Sequence, residues 1–168
     1  MDYREKVKEA ISAMDGRPVY NRSLEHAAVI IEEMFALAKN EVKLFTGELN
    51  ASAYGLPPVL SRAEKFLADR NGKVRILIEK QVADEDLRKN PFIQRMSGSA
   101  NLEVRRLRTD EYDPEFHMML ADDHSYRFEP DKTEHEAVAT FGDDETTDHL
   151  AQLFETLWKA GDVAEIRD

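Results

Sequence analysis

The sequence predicts an α/β protein in which helices sandwich a mixed β-sheet. A strand, a helix and a second strand follow one another over residues 42–78, an order typical of parallel strands with a helical crossover. Two short strands within residues 116–129 are separated by three residues, which indicates an antiparallel hairpin. Residues 143–158 then predict an amphipathic helix. Because both kinds of pairing occur in one chain, we expect a mixed sheet.

Two helices are predicted before the first strand. Residues 3–14 indicate a short charged helix that ends at an Asp-Gly-Arg-Pro turn. Ser23 is placed to cap a second helix, whose apolar residues recur at three- and four-residue steps. We therefore divide the chain into an N-terminal helical extension, residues 1–22, and one α/β domain, residues 23–168.

The central unit consists of strands at residues 42–46 and 74–78 with a helix between them. Pro57 and Pro58 open that helix, since proline is favoured in a first helical turn. A third strand follows at residues 102–107, which extends the predicted parallel part of the sheet.

The second half of the chain has a different layout. Residues 84–96 are acidic and weakly helical. Residues 116–121 and 125–129 are the two arms of the hairpin, and residues 137–141 are a further strand.

Length and charge exclude several classes of protein. A chain of 168 residues fits one domain, and the absence of cysteine excludes disulfides and thiolate chemistry. The formal net charge of −11 disfavours diffuse attraction to nucleic acid or anionic lipid. The charged N-terminus and the lack of a long apolar run predict a cytoplasmic protein with no membrane partner.

The hairpin resembles part of a known family. Over residues 24–158 the chain resembles a single lobe of the phospholipase D superfamily, in which one strand carries H-x-K and an aspartate follows after four further residues. His117 matches the histidine, whereas Met119 stands in the place of the lysine and His124 in that of the aspartate. The motif is therefore degenerate.

A second motif of that family, G-S-x-N, precedes its last helix. Gly142 matches the glycine, while Asp143 and Glu145 occupy the places of the serine and the asparagine. The resemblance is thus carried by the order of elements, the position of the hairpin and the C-terminal helix.

The resemblance implies a reaction in which a histidine attacks phosphorus while cations hold the non-bridging oxygens, and in which a twofold-related subunit supplies a second histidine. A thioether at Met119 cannot replace an ammonium, and losing such a contact costs about 3–4 kcal/mol by analogy with oxyanion-hole deletions. We therefore expect a homodimeric, catalytically inactive phospholipase D-like domain that acts as a binding, sensing or scaffold module, with His117 as a vestigial nucleophile.

The expected charges around His117 support inactivity. We expect this imidazole to have no basic neighbour able to hold a phosphate. We also expect an acidic cluster near the site to repel a phosphodiester. The cluster consists of Asp122, Asp123, Asp143 and Asp144.

Other interpretations of His117 stay open. It fits an ordinary strand histidine with a hydrogen-bonded partner. It also fits a diverged phosphodiesterase or nuclease that uses His117 across a dimer interface, with Arg127 on the return strand in place of the lysine. In a third interpretation, the N-terminal helices dock the chain onto a protein partner in a larger complex.

Further candidate residues lie on both sides of the hairpin. His124 and its neighbouring aspartates carry metal donors, but aspartate is typical of turns, and we predict no metal site. Arg105, Arg106 and Arg108 are candidate anion ligands, with pairing to the acidic residues that follow them as the alternative. No Walker loop, dinucleotide-binding glycine turn or nucleophile elbow occurs, so no organic cofactor is predicted.

Overall fold

The protein is built on one eight-stranded mixed sheet with helices on both faces. The computed structural model describes all residues from 1 to 168. The strands are β1 (Pro18–Asn21), β2 (Glu41–Thr46), β3 (Lys73–Ile78), β4 (Leu102–Leu107), β5 (His117–Ala121), β6 (Ser125–Glu129), β7 (Ala137–Phe141) and β8 (Gly161–Val163). The helices are α1 (Tyr3–Ala13), α2 (Leu24–Leu37), α3 (Ala51–Tyr54), α4 (Pro57–Ala68), α5 (Asp84–Arg88), α6 (Pro91–Met96) and α7 (Asp144–Lys159).

The strand order in the sheet is β1-β7-β6-β5-β2-β3-β4-β8. β2, β3 and β4 are parallel, as predicted for strands joined by helical crossovers. All other neighbouring strands pair antiparallel, including the two arms of the predicted hairpin. The mixed α/β sandwich predicted from the sequence is therefore confirmed.

Alternation along the strands separates two apolar layers. On one face, residues such as Leu44, Ile76 and Met119 belong to the larger core, which also contains α1, α2 and α4. On the other face, the strands pack under α7, where Phe154 and Trp158 are buried. His117 is therefore on the face that packs against α1, α2 and α4.

The two edge strands, the short helix α3 and the break between α5 and α6 were not predicted from the sequence. β1 has four residues and β8 has three, which is too short for an alternating pattern to identify a strand in the sequence. The weakly helical stretch is two short helices, because Asn90 adopts the extended backbone that proline imposes on the residue before it. Its side chain accepts hydrogen bonds from the first turn of α6.

The first 22 residues include a strand as well as the predicted helix. Asp2 and Glu5 form a capping box at the start of α1. Val7 and Ala10 are buried in the larger core, and β1 pairs with β7. This segment is thus packed against the rest of the protein, while the division at residue 22 stays a prediction.

None of the helices has both the length and the apolar character needed to span a bilayer.

Candidate functional site

A cavity of about 290 Å³ opens beside His117, at the end of β5 remote from the hairpin loop. One wall is apolar and comes from α2 and α3, whereas the other is polar and comes from the ends of the central strands. The residues that line the apolar wall include Leu24, Ala27, Ile31, Ala53 and Tyr54. Those that line the polar wall include Lys80, His117, Arg127, Glu129, Lys132 and His135.

The imidazole of His117 lies between two carboxylates. Its Nδ1 is 3.6 Å from Glu129 Oε1, and its Nε2 is 3.6 Å from Glu79 Oε2. Both Nε2 and Glu79 Oε2 are fully buried and make no hydrogen bond. Phe45 packs edge-on against the ring, and a side chain added at Gly47 would meet its Cε1 at 3.2 Å. The ring is therefore fixed, with a carboxylate opposite each nitrogen.

Basic side chains line the same cavity, so the expectation that His117 lacks a basic neighbour was wrong. Arg127 pairs directly across the hairpin with Met119, which places its guanidinium on the face that carries His117. Lys132 donates to Glu79 at 2.9 Å and to Asp113 at 3.1 Å. These contacts raise the pKa of Lys132, chiefly through the hydrogen bond to Glu79.

Each of these cations is paired with a carboxylate. Arg127 reaches Glu129 at 3.3 Å, and Lys80 on the rim of the cavity pairs with Glu48 at 2.9 Å. Together with the pair between Lys132 and Glu79, these contacts leave little uncompensated positive charge for a polyanion.

The sequence could have placed Arg127 on the same face of the sheet as His117, because the pairing register of the hairpin and the alternation along its strands fix which residues share a face. Lys132 and Glu79 lie just outside their strands, where no periodic pattern indicates a side-chain direction.

Met119 contributes to the core rather than to the cavity. It lies on the same face as His117, as alternation predicts, but it is fully buried and does not line the cavity wall.

The acidic cluster and His124 lie at the other end of the hairpin, about 14 Å along the strand from His117 at the usual rise per residue. Asp122, at a positive φ of 52°, accepts hydrogen bonds from the backbone amides of Lys39, Asn40 and Glu41. The expectation that this cluster lies near His117 and repels a phosphodiester there was therefore wrong.

His124 binds Asp144 instead of facing the cavity. Its Nδ1 lies 2.8 Å from Asp144 Oδ1, and this contact raises the pKa of the exposed imidazole. Gly142 donates its backbone amide to the carbonyl of His124, so the segment matched to G-S-x-N also lies at this end. The structure does not bring either feature together with His117.

The two arginines of β4 and Arg108, which follows the strand, bind the protein's own backbone. Arg105 donates to the carbonyl of Trp158 and lies over its indole ring, and Arg108 donates to the carbonyl of Ala160. Arg106 donates to the carbonyl of Val82 and pairs with Asp84. None of the three lines the cavity, and their role as anion ligands stays a prediction.

No group of three or more histidine, aspartate or glutamate side chains is arranged to hold a metal ion. The carboxylates around His117 face opposite nitrogens of one ring, so they do not converge on a single point.

One protein-family model matches residues 23–167 of the chain, that of a domain of unknown function, DUF7931. The chain belongs to the DUF7931 family. No protein with a curated description matches it by sequence.

Solved structures show that this DUF7931 domain has a phospholipase D-like fold. Nuc from Salmonella typhimurium, a phospholipase D family member, is similar with a TM-score of 0.64 at 12% identity, over 89% of this chain and 98% of that one. NucT from Helicobacter pylori is similar with a TM-score of 0.61 at 15% identity, over 90% and 100% of the two chains.

The same fold occurs in TrmBL2, described as an archaeal chromatin protein with a novel mode of DNA binding. The TM-score is 0.62 at 20% identity, and the match covers 95% of the DUF7931 chain. The DUF7931 chain spans 60% of the length of that protein.

Proposed function

We propose that this protein is a catalytically silent phospholipase D-like domain that binds a ligand in the cavity beside His117 and acts as a homodimer in the cytoplasm. The observation that carries the proposal is the pair of carboxylates opposite the two ring nitrogens of His117.

A histidine nucleophile needs a free nitrogen lone pair aimed at phosphorus, with cations on the phosphate oxygens. At His117 the fully buried Nε2 faces Glu79, and Nδ1 faces Glu129. A phosphate that approached either nitrogen would meet a carboxylate of the same charge, and like charges at such distances repel strongly where water is excluded. The arrangement therefore supports binding without phosphoryl transfer.

The fold alone does not decide between catalysis and binding. It occurs in a phospholipase D family member and also in a chromatin protein described as binding DNA. Because of the similarity to the chromatin protein, the expectation that nucleic acid is an unlikely partner is not supported. The net charge of −11 still requires any such contact to be local.

The proposal is tested by incubating the protein with bis(4-nitrophenyl) phosphate and with single-stranded DNA, with a chelator or with divalent metal. We expect neither substrate to be cleaved faster than in buffer, for the protein or for His117→Ala. Metal-independent cleavage that disappears in His117→Ala would overturn the proposal. A gel-shift measurement on the same DNA separates binding from cleavage.

A diverged phosphodiesterase is the second candidate, and the position of Arg127 opposite Met119 favours it. This function predicts cleavage in the same assay, with the rate reduced by Arg127→Gln as well as by His117→Ala.

A further inference from the structure

On the polar wall of the cavity, the buried Arg127 has one terminal nitrogen without a hydrogen bond, and the other wall is apolar. We propose that the cavity binds a small carboxylic acid, with Arg127 as the contact for the carboxylate and the α2 wall as the contact for an apolar body. This inference rests on the proposed binding role of the cavity and names the class of its ligand.

Arg127 is 7% exposed, yet its guanidinium is not fully satisfied. Nε donates to Asn21 Oδ1 at 3.2 Å, and one terminal nitrogen, Nη2, donates to Glu129 at 3.3 Å. The other terminal nitrogen, Nη1, makes no hydrogen bond and is not fully buried. Arg127 lines the cavity. A buried guanidinium with a free N–H that faces a cavity is a strong site for an anionic oxygen.

The N-terminal segment holds this arginine in place. Arg127 on β6 reaches Asn21 on β1 by crossing β7, where the residues on this face are Ala137 and Ala139. These small side chains leave room for the guanidinium to lie over the sheet. Asn21 is 1% exposed and is itself fixed by donating to the carbonyl of His135. Asn21 is therefore a positioning residue for Arg127.

The charge balance favours a monoanion over a phosphate. Lys132 has two carboxylate partners and Lys80 is an exposed lysine paired with Glu48, whereas Arg127 is a buried cation whose Nη1 has no partner. Glu129 and Glu48 also line the cavity and would repel a second negative charge. A carboxylate places one negative charge at Arg127, whereas a phosphate monoester carries close to two at neutral pH.

The opposite wall suits an apolar chain. Leu24, Ala27 and Ile31 present an aliphatic surface from α2, and Ala53 adds to it from α3. The volume of about 290 Å³ is at the small end of ligand pockets, which limits the ligand to a small molecule.

The test is an NMR titration of the intact protein with hexanoate, hexyl phosphate, hexanol and hexylammonium as probes. We expect hexanoate to bind most tightly and to shift the amide resonances that surround the cavity. Arg127→Gln should weaken hexanoate binding by at least about tenfold, as expected when a charged hydrogen bond is lost. Arg22→Gln removes the same charge from a neighbouring side chain that is 82% exposed, and it should leave affinity within about twofold.

Two further variants separate the charge from the shape. Asn21→Asp places a carboxylate against the guanidinium but also removes the donor to His135, so it should weaken hexanoate binding by a larger factor than hexanol binding. Ala27→Leu fills the apolar wall and should weaken both. If Arg127→Gln does not fold, these variants and the order of the four probes still decide the question.

The inference is overturned if hexyl phosphate or hexylammonium binds as tightly as hexanoate, if hexanoate does not bind, or if Arg127→Gln folds and binds it unchanged. Phosphodiester cleavage with hexanoate binding intact would overturn only the proposed catalytic silence. Absent cleavage together with absent hexanoate binding would overturn only the ligand class.

Discussion

Met119 stands where the phospholipase D resemblance would place a lysine, and its surroundings explain why a thioether is suited to that position. The side chain is fully buried in the larger core, directly opposite Arg127 on the neighbouring strand. A cation there would be desolvated and would face a second positive charge.

Restoring the lysine is therefore expected to destabilise the protein. We expect Met119→Lys to lower the free energy of unfolding by about 3 kcal/mol or more, because it buries a charge without a partner. Met119→Leu, which keeps the volume and the apolar character, should cost less than about 1.5 kcal/mol. Urea denaturation of both variants measures the difference, and equal midpoints would contradict the burial of this side chain.

His124 illustrates a residue whose interpretation depended on its neighbours. In the sequence, His124 follows two aspartates. In the structure, Asp122 accepts hydrogen bonds from backbone amides at the start of β2, and Asp144 binds the imidazole. Spacing alone could not reveal that the hairpin tip faces away from the cavity.

The contact with Asp144 makes the titration of His124 predictable. We expect its pKa to lie above the ordinary value of 6.5, and to fall back towards that value in Asp144→Asn. Because folding raises the pKa, the stabilising contribution is fully present below the unfolded pKa and is lost as the pH rises through the folded one. NMR titration of the His124 ring protons measures this, and an unchanged pKa in Asp144→Asn would contradict the assigned contact.

Among the secondary-structure elements, α7 packs on the sheet through its apolar face, and Arg75 adds a link between this helix and β3. Arg75 on β3 pairs with Glu41 and Glu155, and its guanidinium lies 5.4 Å from the ring of Phe154 and 5.3 Å from that of Trp158. The side chain is 11% exposed, so this contact combines an ion pair with packing under the helix.

Replacing this arginine should loosen α7. We expect Arg75→Met to cost about 2 kcal/mol, less than the loss of a partner from a fully buried pair, because both carboxylates still reach water. Arg62→Met on the exposed side of α4 is the matched control and should change stability by about 0.5 kcal/mol at most. Thermal unfolding compares the two variants, and equal melting temperatures would contradict a stabilising role of Arg75 under α7.

Periodicity in the sequence identified the central strands but not the edge strand β1. Nearly all of β3 is buried, so its apolar run was legible in the sequence. In β2 and β4, buried apolar residues alternate with half-buried charged ones over part of each strand, and this alternation was legible too. β1 is short, begins with proline and lies at the edge of the sheet, and its buried residue is the polar Asn21, so no apolar pattern marks it in the sequence.

For the whole molecule, the fold was predictable from the order of elements, whereas the site was predictable only in part. His117 and Arg127 were both candidates because they lie on strands whose alternation is readable. Glu79 and Lys132 complete the site from positions just after β3 and β6, and only the three-dimensional structure brings them to the imidazole.

The oligomeric state of the protein is a prediction. The proposed homodimer follows from the phospholipase D resemblance, in which two lobes share one site. We expect light scattering at micromolar concentration to give about twice the chain mass of 19.3 kDa. A stable species at the mass of one chain would remove the dimer without affecting the cavity or its ligand.

The proposed function requires that neither nitrogen of His117 is free to act as a nucleophile. Diethyl pyrocarbonate tests it directly, because this reagent acylates accessible, unprotonated imidazole nitrogens and mass spectrometry locates the product. We expect His117 to stay unmodified in the folded protein while His149, exposed on α7, is fully acylated. Acylation of His117 at the rate of His149 would show that His117 has a free, nucleophilic nitrogen.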